Sequence, residues 1–352
     1  MRIAMTAAGR VSAVLDGREP DRVPFFLLLT MHGARELGLG IREYYASPAD
    51  VAEGQLRMRM RYGHDCLYSL SYAAAEHEAF GGETFFRDDG PPTAGPPIVR
   101  TAEEVFDLEP PRVPDCPSLV RVIETIALLK ERGQDAPIVG VVVAPFSLPA
   151  MQLGLGPYLE IMYQRPDVLD YLLKVNEEFC VQWGNAQFRA GAGVLIYFDP
   201  LSSPTMVEPE LTGRTGFAVA RRTLSRFHGP VVTSLASSGT VSVIEDLCAS
   251  GTRGVAVGAT EDMAELQTAC RDRLVVIGNL NGLEMRRWDA VTTEQEVRRA
   301  ITNGAPGGRF ILADGHGEIP WQVPEEVLDA VAEAVRRWGR YPLSWVGEPV
   351  EL

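Results

Sequence analysis

The sequence predicts an α/β fold, a single (β/α)8 TIM barrel spanning residues 1–352, and three observations carry that expectation. Eight short, β-rich apolar runs recur along the chain. Stretches with helix caps and helical apolar spacing separate them. The 352 residues suffice for one barrel with a decorated N-terminus. No glycine-rich phosphate loop follows the first run, which disfavours an open doubly wound sheet.

The runs, in order, are Arg22–Thr30, Cys66–Ser71, Ile138–Pro145, Gly193–Pro200, Pro230–Leu235, Gly254–Gly258, Leu274–Asn279 and Arg309–Asp314. Most are continuously apolar rather than alternating, the pattern of a parallel strand covered on both faces. Helix signals lie between them. Ser47-Pro48-Ala49-Asp50 places a cap before a proline at the first helical position. Thr101–Glu104 and Thr293–Glu296 have capping-box spacing. In the last helix Val327, Val331, Val335 and Trp338 recur about once per turn. Phe80–Val99 is rich in glycine and proline, and its Thr84–Arg87 run and Asp89-Gly90 predict a hairpin inserted after the second strand. A proline-rich link, Glu109–Pro117, leads to the next helix.

The formal charge of −14 argues against a nucleic-acid or anionic-membrane partner. The opening MRIAMTAAGR lacks the apolar core of a signal peptide, and no apolar run reaches transmembrane length. A cytoplasmic enzyme acting on a small molecule is the expectation. Cys66, Cys116, Cys180, Cys248 and Cys270 are odd in number and without metal-ligand spacing, so they read as reduced, mostly buried thiols.

In such a barrel the chemistry sits beyond the carboxyl ends of the strands. His316 is the first candidate. It lies between Gly315 and Gly317 just past the last run, and a histidine there can move protons near neutral pH. Asp199, before Pro200, is the second catalytic candidate, as a base or substrate anchor. The competing reading is a turn acid holding the Ser202-Ser203 loop. Asn279 and Asn281 offer paired donors and acceptors to a substrate edge, with turn chemistry as the alternative for Asn281. Tyr72, His32, Phe146 and Met151 complete the candidate substrate-binding set. Glu76, His77 and Glu78 read as the start of a solvated helix or hairpin rather than as metal ligands.

Several segments resemble one superfamily in order along the chain, from about residue 10 to residue 340. They are RVSAVLDGREPDRVPF, EHEAFGGETFF, VVVAPFSLPAM, GVLIYFDPLSS, VIGNLNG and FILADGHGEIPWQVPEEV. The chain is similar to the uroporphyrinogen decarboxylase and cobamide-dependent methyltransferase superfamily. The resemblance implies a decarboxylase set of two first-loop arginines, an aspartate, a tyrosine, a serine and a histidine. These positions fall at Thr30, Ala34 (with Arg35 adjacent), Tyr72, Met151, Pro200 and His316, so only the histidine matches. A thiol-methylating branch holds zinc with His-x-Cys after strand five and a cysteine after strand eight. Here those places read Ser234-Leu235-Ala236 and His316.

With those replacements, the resemblance implies a corrinoid-linked methyltransferase acting on a pterin-like or other small acceptor without the usual zinc site. The alternatives are a lyase that decarboxylates a tetrapyrrole or other carboxylated small molecule, and a non-catalytic binding subunit. No metal and no tightly bound cofactor are expected. A corrinoid or folate-type co-substrate, a corrinoid-protein partner and a homodimer are what the resemblance implies.

Overall fold

The computed structural model describes residues 4–132, 135–236, 239–315 and 317–347. Nine strands occur among them: β1 (Leu67–Tyr68), β2 (Thr84–Phe85), β3 (Thr93–Ala94), β4 (Ile138–Val143), β5 (Val194–Phe198), β6 (Val231–Ser234), β7 (Gly254–Ala256), β8 (Val275–Leu280) and β9 (Phe310–Asp314). Seven form one curled parallel sheet in the order β1-β4-β5-β6-β7-β8-β9. Each joins the next through helical crossovers, as continuous apolar runs require. β2 and β3 form a separate two-residue antiparallel ladder, Thr84 opposite Ala94 and Phe85 opposite Thr93.

Seven of the eight apolar runs enter the parallel sheet. The first, Arg22–Thr30, does not form a ladder strand. It makes isolated bridges, Arg22 antiparallel to Arg340 and Phe25 parallel to Leu312. Pro24 explains the interruption, because it has no N–H to give. Its carbonyl still accepts from Leu312 at 2.9 Å, and Phe26 N–H donates to the Leu312 carbonyl at 2.8 Å. On the other side Asp65 N–H donates to the Phe25 carbonyl at 2.9 Å, just before β1. The segment thus spans the gap between the two edges of the sheet.

Inward side chains from most of the strands meet in one cluster that includes Phe26, Tyr68, Val139, Val232, Ile277 and Ile311. The helix Ala7–Leu15 adds Val11 and Val14 to that cluster. Arg10, on the same helix, pairs with Asp21 at 2.7 Å and with buried Asp65 at 2.6 Å. Arg22 reaches Asp65 at 2.7 Å from the other side. The charge buried on Asp65 is therefore fully compensated, which is the condition for tolerating it. On the outer face, Val327, Val331 and Val335 of the helix Glu325–Trp338 are buried as their spacing predicts.

Two helix starts test the cap readings. Ser47 accepts the Asp50 N–H at 3.2 Å, capping Pro48–Tyr62. The helix Ala290–Gly304 is capped instead by Asp289, which accepts Thr292 N–H at 2.7 Å, so Thr293 lies inside it. Asp outcompetes a downstream threonine because its carboxylate also meets the positive end of the helix. All five cysteines are free, four of them buried. Among the described residues, no helix is long and apolar enough to cross a membrane.

Candidate functional site

A cleft of about 320 Å³ opens past the carboxyl ends of β1, β4 and β5, lined in part by Thr30, Tyr72, Glu76, Phe198 and Glu318. Leu28, Val141, Phe198 and Gly317 also line a second space of about 140 Å³ inside the curl of the sheet, which ends at Asp314. The two spaces are therefore contiguous. Their walls are mainly apolar, with a few converging polar groups, as small-molecule sites are. Pro91 and Pro92, in the segment between β2 and β3, form part of the rim. Gln322 ties that segment down by donating to the Asp89 carbonyl at 3.0 Å. A larger hollow lies at the opposite end, around Ser12, Asp16, Pro137 and Arg253. It faces the amino ends of the strands, where this architecture places stability rather than chemistry.

Three acids line the cleft, and sequence reasoning assigned a role to none of them. Glu76, on the helix Ala74–Ala79, is only 3% exposed rather than solvated. Its Oε1 accepts from Val143 N–H at 2.8 Å and from the Trp183 indole at 3.2 Å. Its Oε2 has no partner among the described residues. Burial pushes its carboxyl up to about 8, the two N–H donors offsetting part of the effect. Glu318 Oε1 accepts the Met31 N–H at 2.7 Å, and its Oε2 meets the Thr30 hydroxyl. Burial likewise pushes Glu318 up to about 8, with Asp314 adding repulsion. Asp314, the last residue of β9, accepts Leu28 N–H at 3.2 Å and is pushed up to about 7 by burial. Asp314 ends an apolar run and Glu318 follows two glycines, so the sequence located both. The direction of their side chains required the packed chain.

The predicted site residues separate into groups. His316 lies outside the described residues. Its flanking glycines are both demanded by the backbone: a Cβ at Gly315 would come within 2.6 Å of Ala259 N, and Gly317 has φ +91°. His32 is 4% exposed, packed beside Trp321 with ring centroids 5.6 Å apart, and its Nδ1 stands 4.0 Å from Glu318. Burial, then nearby Arg35, push it down to about 3, so its ring is neutral. Tyr72 lines the cleft, and its hydroxyl lies 3.3 Å from both Glu78 and Arg121.

The remaining candidates sit elsewhere. Asp199 is 1% exposed, with one oxygen accepting from Ser147 and the other from Ser202, each at 2.6 Å. Burial raises it to about 6 against those two donors. It braces the turn after β5. Asn279 is fully buried and donates to the Glu261 carbonyl at 3.0 Å, holding the segment after β7. Asn281 accepts the N–H groups of Leu283 and Glu284 at 3.1 Å each, which is turn chemistry. Phe146 is fully buried against Tyr158. Met151, on the short helix Pro149–Leu153, packs against a core cluster.

The residues at the end of β6 do not fit a zinc ion of the His-x-Cys kind. Ser234, Leu235 and Ala236 occupy that place, and Leu235 is buried in the core. Among the described residues no three His, Cys, Asp or Glu side chains converge as a metal-holding group.

Comparison with known proteins places these features. The family model described as Uroporphyrinogen decarboxylase (URO-D) matches residues 6–338. A uroporphyrinogen decarboxylase of Bordetella petrii is 26% identical over 302 residues, covering 82% of each chain. A methylcobamide:CoM methyltransferase, MtaA, of Methanosarcina barkeri is 26% identical over 354 residues, covering 93% of this chain and 97% of its own. A solved methyltransferase from Methanosarcina mazei shares the fold, with a TM-score of 0.85 at 20% identity over 95% of this chain and 99% of that one.

Proposed function

The chain belongs to the uroporphyrinogen decarboxylase family, and on that premise we propose that it is a closed, single-domain (β/α)8-barrel enzyme carrying out corrinoid-linked methyl transfer with a small molecule. The small partner is a pterin-like or other compact molecule, and the usual zinc site plays no part. The segment around Phe25 and Phe26 serves as the eighth strand, and a homodimer and a corrinoid-carrying protein partner accompany the reading.

The observation that carries it is the character of the cleft. Its described walls hold Glu76, Asp314 and Glu318 and no lysine, arginine or histidine. A tetrapyrrole with eight carboxylates needs cationic and N–H donors to replace its water. A small molecule with little or no negative charge does not. The decarboxylase positions support the same choice, since Thr30, Ala34, Tyr72, Met151 and Pro200 stand where the resemblance expects two arginines, an aspartate, a tyrosine and a serine.

A corrinoid, when bound, would supply the methyl-transfer chemistry. The chain's own residues bind and orient the small molecule and exclude water. His316, beyond the last strand, holds or moves the proton. Asp199 holds the turn after β5 and takes no direct part in the chemistry. The test is incubation of the purified chain with methylcobamide and candidate acceptors while the cobamide spectrum is followed. Acceptor-dependent loss of methylcobamide is the expected result. A spectrum that stays unchanged with every acceptor, beside decarboxylation of a carboxylated substrate, would overturn it.

A further inference from the structure

Acids with no charged partner among the described residues are an unusual lining for an apolar cleft, and His32, 4.0 Å from Glu318, is neutral. Asp314 and Glu318 each use an oxygen on a backbone N–H, from Leu28 and Met31. Glu76, 97% buried by its 3% exposure, keeps Oε2 without a partner among the described residues while lining the same cleft. An ionised carboxylate in such a place is stabilised only by a counter-charge, and the chain's described walls supply none. Apart from His316, which lies outside the described residues, the ligand is the remaining source.

The shape of the walls selects the kind of cation. A metal ion needs three or more donors converging on one point, and no such group is found among the described residues. An organic cation spreads its charge over a larger volume and gains from aromatic walls. Phe26, Tyr68 and Phe198 line the inner space, and Trp183 lines the outer. At about 140 Å³ the inner space suits a compact, branched group rather than an extended ring system.

We propose that this cleft binds a compact organic ammonium ion against its aromatic walls, with Asp314 as the counter-charge of the inner space and Glu318 and Glu76 as the acids of the adjoining outer space. The inference rests on the cleft being the small-molecule site, and it narrows the class of that molecule.

Binding should be linked to protons. Glu318 is faced by Thr30, His32, Tyr44, Tyr45, Tyr68 and Asp314, and Asp314 by Cys66 and Tyr68. Glu76 is faced by Trp183 and Cys180. Burial raises the three tyrosines and both thiols and lowers His32 to about 3, so none of these is charged near pH 7. Among these described residues, the three acids are the groups that titrate there. A cation favours their ionised forms and displaces protons, so its affinity rises with pH. A neutral hydrogen-bond acceptor favours the protonated forms, and its affinity falls.

Calorimetry on the full chain with choline and with its uncharged isostere 3,3-dimethyl-1-butanol decides this. Choline should bind at least about ten-fold tighter than the isostere, and tighter at about pH 8.5 than at about pH 6. Asp314→Asn and Glu318→Gln should each remove most of choline's advantage and leave the isostere unaffected. Equal binding of the two probes, a choline affinity that falls with pH, or no choline binding at millimolar concentration would each overturn the inference. Methyl transfer to another acceptor without choline binding would refute this inference alone. Choline binding without any methyl transfer would refute only the proposed reaction.

Discussion

Glu318 accepts the Met31 amide N–H at 2.7 Å across 287 positions of sequence. The contact fastens the segment after the last strand to the end of the first apolar run, so one wall of the cleft depends on both ends of the chain. Thr30 extends it, bonding Glu318 on one side and the buried Tyr45 hydroxyl at 2.8 Å on the other.

Stability should fall as pH rises through neutrality. Burial pushes Glu76 and Glu318 from 4.5 to about 8 and Asp314 from 3.8 to about 7. Between the unfolded and folded values the unfolded chain binds fewer protons, so their contribution is full below the unfolded values and lost as pH rises through the folded ones. His32 and His64 are pushed from 6.5 down to about 3, and the stability they confer is present above 6.5 and lost as pH falls. Between about pH 4.5 and 6.5 the three acids lose slightly more than the two histidines gain, so the melting temperature should decline gently there and most steeply between about pH 6.5 and 8. Glu76→Gln keeps an acceptor for Val143 N–H and should flatten the alkaline decline. An unchanged slope in that variant would show that Glu76 does not cause it.

Asp199→Ala should destabilise the chain by roughly 2–4 kcal/mol, because two buried hydroxyls, Ser147 and Ser202, lose their acceptor. Urea denaturation measures this. Turnover per folded molecule should change little, since both Asp199 oxygens are occupied by those hydroxyls. A large loss of turnover at unchanged stability would place Asp199 in the chemistry instead.

The sequence made the parallel sheet legible because a strand buried on both faces leaves a continuous apolar run, and seven of eight such runs became strands. Arg22–Thr30 differs because Pro24 cannot continue a ladder. The site was legible in location and less so in detail. Asp199 and Asn281 were marked by their place at strand ends, and the competing turn readings describe their contacts. Glu76 stood in an alternating charged segment that reads as solvated, and only the folded chain turns its carboxylate inward onto Val143 N–H and the Trp183 indole.

His316→Ala should lower turnover by roughly 10²–10⁴-fold, the range for a lost acid/base group. Its effect on the melting temperature should be small. His316→Asn should restore part of the rate if the ring orients substrate and none if it transfers a proton. Full turnover in His316→Ala would remove this residue from the mechanism.

A cleft built for a small molecule without the carboxylates of the family's namesake substrate should not turn uroporphyrinogen over. Anaerobic incubation with uroporphyrinogen, with product porphyrins separated after oxidation, tests it most directly. The cleft acids and the replaced decarboxylase positions predict no coproporphyrinogen above a heat-killed control. Sustained, enzyme-dependent formation of coproporphyrinogen would contradict the account.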